Sequence, residues 1–124
     1  MRTAVRWAAV LVVLAGCSDV HLPEAQQVAS DFAAGDPVTR CDLLTEAAVR
    51  AVEHEEPTGC PVALEELPLG AGGVVSAQVW GQEAQVQLTD DTLFLSRTAD
   101  GWRVAAAGCE ASGQGRYDCL VEGS

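Results

Sequence analysis

Residues 75–109 read VSAQVWGQEAQVQLTDDTLFLSRTADGWRVAAAGC, and this run decides the fold. Apolar side chains recur at every second position, the period of a strand with one buried face. Val75, Ala77 and Val79 share one face of a first strand, and Ala84, Val86 and Leu88 share one face of the next. Gly81-Gln82 between them suits a tight turn with glycine first, and Asp100-Gly101 is a second hairpin signal. A third strand is expected over residues 92–97, entered through Asp90-Asp91, and a fourth over residues 102–109. Beyond the glycine-rich ASGQGR, residues 117–121 make a short fifth strand.

Upstream the period changes from two to helical. Pro23 suits a first helical turn, and Ala25, Val28, Ala29 and Phe32 form one apolar stripe ended by Gly35. Asp36-Pro37 reads as cap and first turn of a second helix with Val38, Cys41 and Leu44 inward. Thr45 caps a third helix through Ala48 and Val52, where Glu46 meets the positive end of the helix dipole. Pro57-Thr58-Gly59 breaks the pattern, and Cys60-Pro61 restarts it as far as Leu67. Short helices followed by an antiparallel meander specify an α+β domain, with N-terminal helices packed on a curved sheet of four to five strands.

Residues 1–16 have a different character. Arg2 and Arg6 precede the uncharged apolar run Trp7 to Leu14, and Leu14-Ala15-Gly16-Cys17 follows. These are the parts of a secretory signal. The apolar run is far short of the roughly 20 residues a membrane-spanning helix needs. The tetrapeptide resembles the lipobox of bacterial lipoproteins. That resemblance implies cleavage before Cys17 and a diacylglycerol on its thiol, two acyl chains being enough for stable anchoring. The expected organisation is a signal peptide over 1–16, lipid attachment and tether over 17–22, and one domain over 23–124. The expected location is the extracytoplasmic face of the cell membrane.

Four cysteines remain: Cys41, Cys60, Cys109 and Cys119. An even count in a small exported domain points to disulfides. Three pairings are possible. The sequential one, Cys41–Cys60 with Cys109–Cys119, is favoured because each bridge then encloses one local segment, stabilising by about 2–3 kcal/mol. No Cys-x-x-Cys knuckle suggests zinc.

The chain has 124 residues and no lysine. Five of its seven arginines and all 18 carboxylates lie beyond residue 16, leaving that part at −13. Such a charge excludes the basic surface nucleic acids require. It also leaves attachment to the membrane to the acyl chains alone.

CDLLTEAAVRAVE, VSAQVWGQEAQVQL, DTLFLSRTADGWRVAAAGC and RYDCLVEG together resemble a group of uncharacterised actinobacterial secreted lipoproteins. That group is similar to the nuclear-transport-factor-2-like (SnoaL-like) fold, in which helices close the concave face of a curved sheet. No activity comes with the resemblance. Enzymes of that superfamily use an acid-base Asp lining a deep cone, whereas the inward positions here are Leu93, Leu95, Val104 and Ala106.

Few residues carry chemistry. Glu53-His54-Glu55-Glu56 offers an imidazole among carboxylates, for a metal or a general base. A solvated helix end before Pro57 accounts for it more simply. Asp90-Asp91 is calcium-like but also a normal turn. His21 belongs to the exposed tether. Neither histidine neighbours a plausible nucleophile, and Gly70 to Gly73 precedes a strand, unlike a phosphate loop. Trp102 is expected in the core, and Trp80 as a seal under helices or loop; Trp80 and His54 are the weak ligand-binding candidates. No cofactor is indicated. The expectation is a lipid-anchored binding or accessory module with an envelope protein as partner and a filled interior. The alternative is a small-pocket enzyme of the SnoaL-like or polyketide-cyclase kind, which needs converging ionisable groups inside the cone.

Overall fold

The structure, a computed structural model, describes residues 17–123; the expected signal segment 1–16 lies outside the described residues. Four helices come first: α1 (Cys17–Ala34), α2 (Pro37–Leu43), α3 (Glu46–Glu55) and α4 (Cys60–Glu66). Five strands follow: β1 (Val74–Trp80), β2 (Glu83–Leu88), β3 (Thr92–Thr98), β4 (Gly101–Gly113) and β5 (Arg116–Glu122). The strands pair antiparallel in sequence order as one sheet that does not close. The fold is α+β.

The stripe of α1 behaves as its spacing dictates, with Ala25, Ala29 and Phe32 fully buried. The helix starts earlier than Pro23, however, and the expected tether is part of it. Proline inside a helix forfeits one backbone hydrogen bond. Packing compensates, because His21 lies against Trp102 with ring centroids 6.4 Å apart and accepts from Arg97 at 2.9 Å. His21 is therefore not an exposed tether residue.

Asp36 caps α2 by accepting from the Thr39 N–H at 2.8 Å. This helix buries none of its residues, and Val38, expected inward, is 58% exposed. It is held by other means: its cap, the Cys41–Cys60 disulfide to α4, and the Arg40 side chain. Thr45 caps α3, accepting from the Ala48 N–H at 3.0 Å, and Ala48 and Val52 are buried as expected. Both disulfides follow the sequential pairing. Cys109 and Cys119 sit directly opposite each other on β4 and β5.

Three register shifts interrupt the ladder among the described residues, one of them between Ala111 and Gly113 at the tip of the β4–β5 hairpin, and the other two reset which side chains face the core. In β1, Val74 pairs with Leu88 but Ser76 pairs with Gln87, so Val75 is the extra residue. Val74 therefore joins Ala77 and Val79 against the core, while Val75, expected on that face, is 63% exposed. In β4, Phe94 pairs with Ala106 and Leu95 with Val104, which makes Ala105 the extra residue. As a result Val104 and Ala107 belong to the core cluster under the helices, and Ala106, expected inward, does not.

Where β5 ends, the edge of β4 that it lined is continued by the α2–α3 connection. Leu44 bridges Val104 in parallel, the Thr45 N–H donates to the Val104 carbonyl at 2.9 Å, and the Gly123 N–H donates to Ala105. The ASGQGR loop is also shorter than expected. β4 runs to Gly113, and Gln114-Gly115 turns the chain with φ of 53° and 75°, the left-handed pair a two-residue hairpin requires.

Candidate functional site

The space beneath the helices is occupied by apolar side chains. Phe32, Val86, Leu88, Leu93, Leu95, Val104 and Val121 are the largest fully buried residues, and all but Phe32 come from the sheet. Each contributes about 1.5–3 kcal/mol by leaving water. The core carries no ionisable side chain among the described residues; its buried polar residues are Thr45 and Thr92.

The sequence-named polar residues are not gathered into one site. Asp90 and Asp91 are consumed by the backbone. Asp90 accepts from the Ala71 and Gly72 N–H groups at 3.0 and 2.9 Å. Asp91 accepts from Gly70, Thr92, Gly108 and Cys109 at 2.7–3.2 Å. The pair thus clamps the 70–72 segment to the β2–β3 turn and to the middle of β4. Asp91, with two N–H donors on each oxygen, has its acceptor sites filled, and Asp90 accepts one bond on each oxygen from the same backbone segment, so both carboxylates serve the fold as a turn and clamp. A Cβ on Gly70 would lie 2.4 Å from the Asp91 Cβ, which is why glycine stands there.

The Ala71 N–H, then the Gly72 N–H and more weakly the Arg40 charge, hold the Asp90 carboxyl below its ordinary 3.8, against a small opposing effect of burial. A depressed folded-state value adds stability that is present above the unfolded value and lost as pH falls through the folded one. Asp90→Asn is therefore expected to flatten the acid limb of the stability curve below about pH 4, read by denaturant titration at several pH values.

Glu53, His54 and Glu55 are exposed at the end of α3 and do not converge. Glu56 accepts from the Thr58 hydroxyl at 2.6 Å, which braces the turn before α4 and lowers the Glu56 carboxyl. Among the described residues no cluster of three or more His, Cys, Asp or Glu side chains is placed to hold a metal. Trp102 is core as expected, at 2% exposed, with its indole N–H buried and unpaired. Trp80 is 55% exposed at the end of β1, so it seals nothing.

What the sequence did not signal is an open groove of about 940 Å³ where α2 and α3 meet the β3–β4 hairpin. Its walls carry Arg50 and Arg103 together with Asp42, Glu46 and Asp100, and its floor includes Leu44, Thr45, Ser96 and Thr98. Arg50 reaches Glu46 at 3.9 Å in the open, while Arg103 donates to its neighbour's carbonyl, the Trp102 O, at 2.8 Å. The groove exists because the Leu44–Val104 bridge brings the α2–α3 connection beside β4, a contact across 60 residues that no local motif announces. A second, smaller depression of about 260 Å³ lies on the helix-free side of the sheet. There Phe94 and Tyr117 meet edge to face at 5.0 Å, and the Gln85 amide donates to the Tyr117 hydroxyl.

No protein-family model, curated protein or solved structure matches the chain.

Proposed function

We propose that the protein is an extracytoplasmic lipoprotein, acylated at Cys17, whose domain is a non-catalytic binding or accessory module for an envelope protein. The observation that carries the module half of this reading is the occupied interior: a cyclase-like or isomerase-like mechanism needs ionisable groups converging in a dry cavity, and that volume holds Phe32, Leu88, Leu93 and Leu95. The anchor half rests on Leu14-Ala15-Gly16-Cys17 behind a charged and then apolar start. The two disulfides are of a kind that forms outside the reducing cytosol.

The partner is assigned to the groove between α2–α3 and the β3–β4 hairpin. Its lining of both arginine and carboxylate side chains suits a polar protein segment, since a small apolar ligand needs enclosure. Expression of the full chain in a bacterial host tests the anchor. The expected product is a membrane-bound species beginning at Cys17 with acyl mass added, and a Cys17→Ser chain that is neither cut there nor retained. A soluble product with an unmodified start elsewhere would refute it. For the groove, the double variant Arg50→Glu/Arg103→Glu should lose, while staying folded, any envelope partner crosslinked to the parent; retention of that partner would move the site elsewhere.

A further inference from the structure

α1 leaves no flexible stretch after Cys17: the helix already includes it and continues to Ala34. His21 is one turn further on, about 6 Å along the axis, and it fixes where this end of α1 lies. Its Nε2 sits 2.9 Å from the Arg97 guanidinium, and its ring stacks obliquely on Trp102. The Arg97 N–H in turn donates to the Gln82 carbonyl at 2.8 Å, and Trp80 pairs with Glu83 to close that same β1–β2 turn. The start of α1, the tip of the β1–β2 hairpin and the start of β4 therefore form one end of the molecule. Among the described residues, two of the six large exposed apolar side chains are here: Trp80 at 55% and Val20 at 64%.

We infer that this end is a bilayer-docking surface, with Trp80 seated at the lipid–water interface and Val20, exposed on the first turn of α1, at the same end; the inference rests on acylation of Cys17. An acyl anchor joined directly to a helix delivers whatever surrounds that helix end to the membrane. Trp suits that depth, its ring being apolar with one polar N–H. The occupant is a lipid surface of neutral headgroups, because Glu24, Glu83 and Asp100 stand at or beside this end with Arg97 and Arg103, within a strongly acidic domain. An anionic surface would repel it. The remaining exposed apolar residues, Val38, Val62, Val75 and Leu120, are on other elements or at the far end of β1.

Brominated lipids quench tryptophan only where the ring enters the bilayer. In the chain from Cys17 onward the other four cysteines are bonded to one another, so a diacyl maleimide lipid can be directed to Cys17 whether or not cells acylate it. In brominated phosphatidylcholine vesicles this conjugate should lose most of its Trp80 emission. Trp80→Phe should abolish the quenched component, leaving the buried Trp102 signal unaffected. Equal emission from the conjugate in brominated and ordinary vesicles would overturn the docking surface while leaving the anchor untouched. Natural protein without acyl mass, combined with quenching in the conjugate, would instead remove the anchor reading and leave the surface capable of docking.

Discussion

Asp91→Ala should cost about 4 kcal/mol of unfolding free energy, less than four charge-assisted hydrogen bonds at about 1.5–3 kcal/mol each would sum to, because the donors that water can reach regain a partner. The carboxylate takes N–H groups from four residues on three parts of the chain: Gly70 before β1, Thr92 of β3, and Gly108 and Cys109 of β4. Removing it orphans several donors at once, and the buried ones among them have no water to turn to. Asp91→Asn separates charge from shape: one oxygen survives and the other becomes an NH₂ facing N–H donors, so about half the loss should persist. The exposed Asp118 provides a control, and Asp118→Asn should leave the denaturant midpoint unchanged. If Asp91→Ala moved the midpoint no further than that control, the clamp would not be holding the fold.

The second large effect is expected at Arg40. Its Nε donates to the Phe32 carbonyl and one Nη to the Ala33 and Gly70 carbonyls, all at 2.9–3.0 Å, while the guanidinium lies 5.2 Å from the centre of the Phe32 ring. The two α1 carbonyls belong to the helix's last turn, where they lack intrahelical partners and where the dipole favours a cation. One planar side chain thus caps α1, pins α2 to it and holds the loop that Asp90 and Asp91 grip from the other side. Arg40→Ala should destabilise by about 3 kcal/mol. Arg40→Lys should recover little, because an ammonium on a flexible stem cannot reproduce the fork of directed donors or the stacking on Phe32. Full recovery by lysine would show that charge at the helix end, not geometry, is what matters there.

Both residues illustrate how far the sequence could be read. The elements were legible because their signals are local: the stripe of Ala25, Ala29 and Phe32, the caps at Asp36 and Thr45, the alternation from Ala84 to Leu88. The disulfide pairing was legible for the same reason, each bridge being short-range. What failed was non-local or depended on one extra residue. Val75 points outward because a bulge flips the phase, and nothing in Val74-Val75 says which valine will be the odd one. The turn before Pro23 is helical because His21 finds Trp102 and Arg97, and a proline read by itself argues for the opposite. Asp90-Asp91 reads as a turn before a strand, which it is, but the sequence does not say what the two carboxylates hold. Their true partners are backbone amides up to 21 positions away, and amides leave no mark in a sequence. The groove was invisible for a related reason: its residues come from the second and third helices and from a hairpin, and each has an adequate local explanation.

The open sheet has two edge strands among the described residues, β1 and β5. β5 is guarded by Arg116, Asp118 and Glu122, charges that a docking strand would have to desolvate. β1 reads VVSAQVW, with neither charge nor proline. What interrupts it as a template is the Val75 bulge, which breaks the regular ladder near its start. That single irregular residue therefore guards against strand-to-strand self-association between copies of the chain.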